Sequence, residues 1–202
     1  MEYPVSILGS REELAACPVF SVDHFQWTCR VRPETTGRMG YLPGEGLLVW
    51  MECRERDPRR VYQNPQDPVC RDSAMEAFFT FCETPHNDCM YLNFELNANG
   101  AMHAKYGAGR KNRTPLSPEE YAACRPRARV GEEAWEIGLT VPLPLLQKLY
   151  GLGELTPGDR FWCNFYKISE SADIEHYASY SPVGSGTPNF HLPEFFAPAA
   201  IK

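Results

Sequence analysis

Between Val69 and Gly109 the chain alternates two kinds of residue with a period of two. Met75, Ala77, Phe79 and Phe81 interleave with Glu76, Phe78 and Thr80. Further on, Leu92, Phe94 and Leu96 interleave with Tyr91, Asn93, Glu95 and Asn97. Successive side chains of a strand point to opposite faces, so each segment predicts a strand with one apolar face and one distinct second face. In the later strand that second face is a row of hydrogen-bonding groups. Asn99-Gly100 is the dipeptide of a type I′ hairpin, in which both central residues need positive φ. The pattern therefore predicts a sheet with one face set up for polar recognition.

The same reading extends along the chain. Leu47–Arg54 sets Leu47, Val49, Met51 and Cys53 against Leu48, Trp50, Glu52 and Arg54. Arg160–Ile168 sets Phe161, Cys163 and Phe165 against Trp162, Asn164 and Tyr166. Ala134–Val141 reads as another strand, a first one is expected near Phe25–Val31, and a last one over Glu175–Ser181. Three short helices are signalled: a capping box of Ser10 and Glu13 running to about Cys17, Ser117-Pro118-Glu119-Glu120, and Pro142–Leu149 closed by Gly151. Asp57-Pro58 and Gln63–Pro68 carry loop chemistry. The tail PNFHLPEFFAPAAIK, rich in proline and aromatics, is expected to wrap across the sheet as irregular chain. With eighteen prolines and fifteen glycines spread through the chain, the expected fold is all-β. It is an antiparallel β-sandwich, immunoglobulin-like or jelly-roll-like, with one or two short helices in a single domain over 1–202.

Composition narrows the function classes. A net charge of −6 argues against nucleic acid, whose phosphates call for clustered Lys and Arg. Arg54, Arg56, Arg59 and Arg60 do cluster, but Glu52, Glu55 and Asp57 are interleaved with them, which predicts a solvated, internally paired segment. No apolar run reaches bilayer length and no export signal is visible, so neither membrane nor secretion is expected and cytoplasm is the default. Eight cysteines without a CxxC pair read as reduced, mostly buried thiols rather than disulfides or a zinc site.

Two stretches carry a family resemblance. Pro-Val-Cys-Arg-Asp72-Ser73-x-x-Glu76-x-Phe78 and Tyr91-Leu92-Asn93-Phe94-Glu95-x-Asn97-x-x-Gly100, with Phe190-His191-x-Pro193-Glu194-x-Phe196 near the end, resemble family 9 carbohydrate-binding modules and the wider DOMON-like group. The likeness is greatest to the stand-alone bacterial family 9-like proteins and covers roughly residues 45–198. It implies a β-sandwich that binds sugar without catalysis, in some members with structural calcium, and an association with carbohydrate catabolism. Haem-binding members of the wider group use an axial His or Met, for which His103 and Met102 are available. Two departures concern the ligand. Sugar-binding modules carry a Trp six residues before the acid matching Glu76, and here that residue is Cys70. The basic residue expected on the next strand falls at Glu95.

Sugars are held by rings stacked on the apolar pyranose face, with amides, carboxylates and guanidinium groups on the hydroxyls. Strand parity gathers candidates for such a site: Trp50, Glu52, Arg54, Glu76, Asn93, Glu95, Asn97, Trp162, Asn164 and Tyr166, with Arg110 and Arg113 as a clamp for an anionic group. The blander reading is an ordinary sheet face, its tryptophans lying under the tail and its carboxylates paired with Arg54 or Arg71. Glu76 with Glu52 or Glu95 would instead suit a glycosidase, at about 5–5.5 Å apart for retention or about 6.5–9.5 Å for inversion. Asn64, Asp67 and Asp72 offer oxygen ligands for calcium; no other cofactor is expected. A third possibility is docking of a protein partner on an aromatic patch.

Overall fold

The computed structural model describes residues 2–202. Fourteen strands make up most of it. The first five are β1 (Tyr3–Ile7), β2 (Val19–Ser21), β3 (His24–Phe25), β4 (Glu34–Leu42) and β5 (Gly46–Arg54). Next come β6 (Ala74–Thr80), β7 (Met90–Asn97), β8 (Met102–Ala108), β9 (Thr114–Pro115) and β10 (Arg127–Val130). The last are β11 (Trp135–Pro142), β12 (Arg160–Ser169), β13 (His176–Ser179) and β14 (Ala197–Ile201). Two short helices, α1 (Pro118–Ala123) and α2 (Leu143–Tyr150), lie between them. No helix among the described residues is long and apolar enough to cross a membrane.

The strands form two layers. One runs β1-β14-β12-β6-β7-β8-β9, and the other β10-β11-β5-β4-β1. The sandwich is mixed rather than strictly antiparallel, because β1 pairs in parallel with β14 (Tyr3 opposite Ala199) and with β4 (Ser6 opposite Gly40), joining the layers. Alternation decides the core: Leu47, Val49, Met51 and Cys53 from one layer bury against Met75, Ala77, Phe79, Leu92, Phe94, Leu96, Phe161, Cys163 and Phe165 from the other. Burial of such side chains stabilises by roughly 1.5–3 kcal/mol each. All eight cysteines are free.

Several local expectations need correction. Phe25–Val31 is mostly loop, and the strands the sequence did not signal, β1 and β4, supply the first partners. Ser10 opens a 3-10 turn over Arg11–Ala16 without a side-chain cap, whereas Ser117 and Glu120 do form a reciprocal capping box. The β7–β8 hairpin is not type I′. Gly100 has φ of 80° while Asn99 is not among the residues with positive φ, and Gly100 N–H donates to the Asn97 carbonyl at 3.0 Å, as in a three-residue loop ending on a left-handed glycine. The tail does cross the sheet, but its end is β14, the strand on which the layers meet. Of the arginine cluster, Arg60 pairs locally with Asp57 (3.4 Å), while Arg54 and Arg59 reach out to Glu34 (3.7 Å) and Asp72 (3.8 Å).

The outer face of the first layer is where the site lies. It is covered, not solvated. Ala74, Phe78, Tyr91, Tyr166 and Ile168 from the strands pack with Tyr177, Val183, Phe190 and Phe196 into a second apolar cluster. Tyr166 fixes the cover: its ring stacks on Phe190 at 4.1 Å and 18°, and its hydroxyl donates to the Phe190 carbonyl at 3.3 Å. Asn164 does the same for the preceding loop, donating to Ser181 O and accepting from Ser181 N, each at 2.9 Å.

Candidate functional site

The cover leaves a recess of about 190 Å³ beside the pairing of β6 and β7. Glu76 and Glu95 form its floor. They are direct cross-strand partners, so their carboxyl groups rise side by side from the outer face. Glu76 is 3% exposed and Glu95 7%. Burial raises both carboxyls above the ordinary range. For Glu76 the neighbouring Glu95 adds to the rise, and for Glu95 the opposing pulls are His103 and the Asn93 amide.

The walls come from several other elements. His103 lies on β8 opposite Glu95, and its Nδ1 donates to the Gln66 carbonyl at 3.1 Å. Cys70 stands in the turn before β6 and donates from Sγ to Glu170 Oε2 at 3.5 Å; burial and Glu170 push its thiol up, so it is protonated. Glu170 follows β12, and Ile168 and Tyr177 supply apolar surface from β12 and β13. Asn189, Phe190 and His191 descend from the tail, and Arg110 stands at the mouth. His191 is pushed down to about 3 by burial and by Arg113, which keeps the ring neutral.

The residues expected from sequence separate into three groups. Glu76, Glu95 and Arg110 line the recess. Asn93, Asn97, Asn164 and Tyr166 share that sheet face but are fully occupied within the protein. Asn93 accepts from Arg113 Nη2 (2.9 Å) and donates to Glu95 (2.9 Å). Asn97 donates to Asp72 and to the Tyr62 carbonyl, both at 2.8 Å, and its Oδ1 holds the hairpin by accepting from Asn99 and Ala101 N–H at 3.1 Å. Trp162 is half-buried at the far end of β12, opposite Thr80 and Pro198, and does not line the recess.

Trp50, Glu52 and Arg54 are on the other layer altogether. Their strand, β5, lies between β4 and β11, with Trp50 opposite Arg38 and Gly138 and packed on the small cluster of Leu8, Leu14 and Leu48. The two tryptophans therefore form no common stacking surface. Parity assigned each side chain a face of its own strand; nothing in the alternation says which sheet a strand joins. A carboxylate pair of Glu76 with Glu52 is likewise ruled out, and neither Arg54 nor Arg71 pairs with Glu76.

Two further expectations change. Arg113 is no free clamp: it donates to Asn93, Tyr91 O (2.8 Å), Gly107 O (2.6 Å) and Gly109 O (3.0 Å), with its guanidinium 3.5 Å over the Tyr91 ring. The proposed calcium ligands are loop organisers. Asp72 accepts from Val61 N (2.9 Å), Tyr62 N (3.0 Å) and Asn97, and Asp67 from Gln63 N (3.1 Å) and Asn64 N (2.8 Å). No group of three or more His, Cys, Asp or Glu among the described residues is placed to hold a metal ion. Met102 is buried in the inner core. Glu170, Tyr177, Asn189 and Phe190 were missed as site residues; all four come from segments whose approach to the sheet is set by tertiary packing.

Fold and recess together define a two-layer β-sandwich module with one polar opening in a covered sheet face. The chain belongs to carbohydrate-binding family 9, whose family model matches residues 5–201. Among solved structures it is similar to a candidate carbohydrate-binding protein from Bacteroides uniformis, at 24% identity over 98% of each chain and a TM-score of 0.83. It is also similar to a family 9 module from Caldicellulosiruptor kristjanssonii in complex with cellotriose. That match has 11% identity, covers 100% of this chain and 94% of that one, and has a TM-score of 0.68. The glucose complex of a family 9 module from the same organism matches at 11% identity, 100% and 96% coverage and a TM-score of 0.66. No curated protein matches.

Proposed function

We propose that this protein is a non-catalytic carbohydrate-binding module whose ligand enters the recess over Glu76 and Glu95. The observation that carries the reading is a buried carboxyl pair facing an opening in an otherwise covered sheet face. Acids held there at the cost of desolvation have a use if a ligand's hydroxyls replace the lost water. The recess is smaller than the roughly 300–1,000 Å³ typical of drug-sized sites, which suits one sugar ring, the end of a longer glycan projecting outward. Tyr177, Ile168 and Phe190 would contact the apolar side of the ring. Family membership and the glucose and cellotriose complexes of the structural neighbours support the same reading, and a role in carbohydrate catabolism is part of the proposal.

Saturation-transfer NMR with glucose and cellotriose tests it. Saturable binding lost in Glu95→Ala is expected; no response across a panel of neutral and charged sugars would remove the idea. A hydrolase reading would rest on the same Glu76–Glu95 pair. It would be favoured by release of reducing ends from oligosaccharides that disappears in Glu76→Gln.

A further inference from the structure

The polar groups of the recess are mostly acceptors. Glu76, Glu95 and Glu170 bring three carboxylates, and the Cys70 thiol already donates to Glu170. His191 adds another acceptor. The Tyr91 hydroxyl has one proton, and the Gly109 carbonyl, 3.0 Å away, can only accept it. In the 2.8 Å contact between Tyr91 and His191 Nδ1 the neutral ring is therefore the donor, which leaves Nε2 without a proton. Against these stand Arg110, exposed at the mouth, and His103, whose Nδ1 proton is used on Gln66.

Glu76 is the sharpest feature. It is 3% exposed, lines the recess and has no hydrogen-bonding partner among the described residues. Glu95 beside it receives a single amide proton, from Asn93. A metal ion does not answer this demand, since no set of ligands is grouped to hold one. A neutral hydroxyl would give one proton and leave the buried pair holding its own. A primary ammonium gives three protons, draws the pair into its ionised form as the carboxyl proton leaves to solvent, and forms the stronger, charge-assisted kind of hydrogen bond.

We infer that the preferred ligand is an amino sugar with a free, protonated amine, bound with its ammonium group at Glu76 and Glu95 and its ring against Tyr177 and Ile168. This rests on the sugar-binding reading and specifies its ligand class.

Calorimetric titration of the intact protein with glucosamine, N-acetylglucosamine and glucose tests it, at neutral pH, where the free amine is still largely protonated and acid does not hold the proton on Glu76. Glucosamine is expected to bind at least about tenfold more tightly than either neutral sugar, the size of one charge-assisted hydrogen bond. Glu76→Gln, checked for folding by circular dichroism, should bring the three affinities to within about twofold of one another. Glu170→Gln, at an exposed position, should reduce the preference without touching the floor and serves if the first variant fails to fold. Equal affinity of the wild type for all three sugars overturns the inference and leaves the sugar site standing. Binding of none of them overturns both. A glucosamine preference unchanged in both variants overturns the inference alone.

Discussion

Glu76 and His176 tie the stability of this protein to pH in opposite directions. Burial, reinforced by Glu95, holds the Glu76 carboxyl well above 4.5. The folded chain thus keeps a proton that the unfolded chain releases. Its contribution is complete below about pH 4.5 and is lost as pH rises through the folded value. Glu76→Gln is expected to raise the denaturant midpoint at neutral pH and to leave it nearly unchanged in acid; equal midpoint shifts at both would contradict this. His176 is the reverse case. Its Nδ1 donates to Ile174 O at 2.6 Å, and its Nε2 accepts from buried Lys167 at 2.8 Å. Burial, then Lys167, lower it from 6.5 to about 4. Its contribution is present above 6.5 and fades as pH falls towards 4, by on the order of 3 kcal/mol. Urea titrations of His176→Gln should lack that acid slope. At this scale the sequence was readable for Glu76 and Glu95, because period-two alternation puts them on one face. Lys167 and His176 were opaque: a lysine on the inward side of an apolar strand is buried here because Ser73, His176 and Glu55 receive it (2.5, 2.8 and 3.6 Å).

Among the elements, the polar row on β7 illustrates what alternation can and cannot say. It placed Asn93, Glu95 and Asn97 on one face, as found, but three residues that look alike do three different things. Asn97 organises the hairpin and the Tyr62–Asp72 loop, Asn93 anchors Arg113, and Glu95 alone meets the recess. Asn97→Ala removes four hydrogen bonds and leaves the Asp72 carboxylate short of a donor; a loss of roughly 2–3 kcal/mol in equilibrium unfolding is expected. The tail was legible as a cover because prolines and aromatics suit neither helix nor central strand, yet its docking point was not. Phe190 matters most there, stacked on Tyr166 and edge-on to Tyr177. Phe190→Ala should cost roughly 3 kcal/mol and widen the recess. It should also weaken sugar binding more than the distant Trp162→Ala does, and calorimetry on the two variants would show the reverse order if the site lay along β12 instead.

For the whole molecule, strand content followed from period-two patterning and turn residues, whereas the partition of strands between layers did not. Trp50 and Trp162 show the difference: each sits on the outward face that parity assigned, one on each layer, facing away from one another. A one-dimensional pattern fixes the side a residue takes within its strand, and only long-range pairing fixes the sheet. Cys70 shows a milder version, since it lines the recess at the position where the family resemblance expects a Trp. Cys70→Trp should add a stacking surface and raise glucose affinity by up to about tenfold, measured by calorimetry.

The joint made by β1 sets a condition on how the chain can be born folded. Tyr3 pairs in register with Ala199, so closing that contact joins strands very far apart in sequence and comes late. During synthesis on the ribosome both layers can accumulate hairpins, but they cannot be stitched together until the final strand has emerged from the exit tunnel. Nascent chains stalled before residue 197 should therefore remain protease-sensitive however much β-structure they have already gathered.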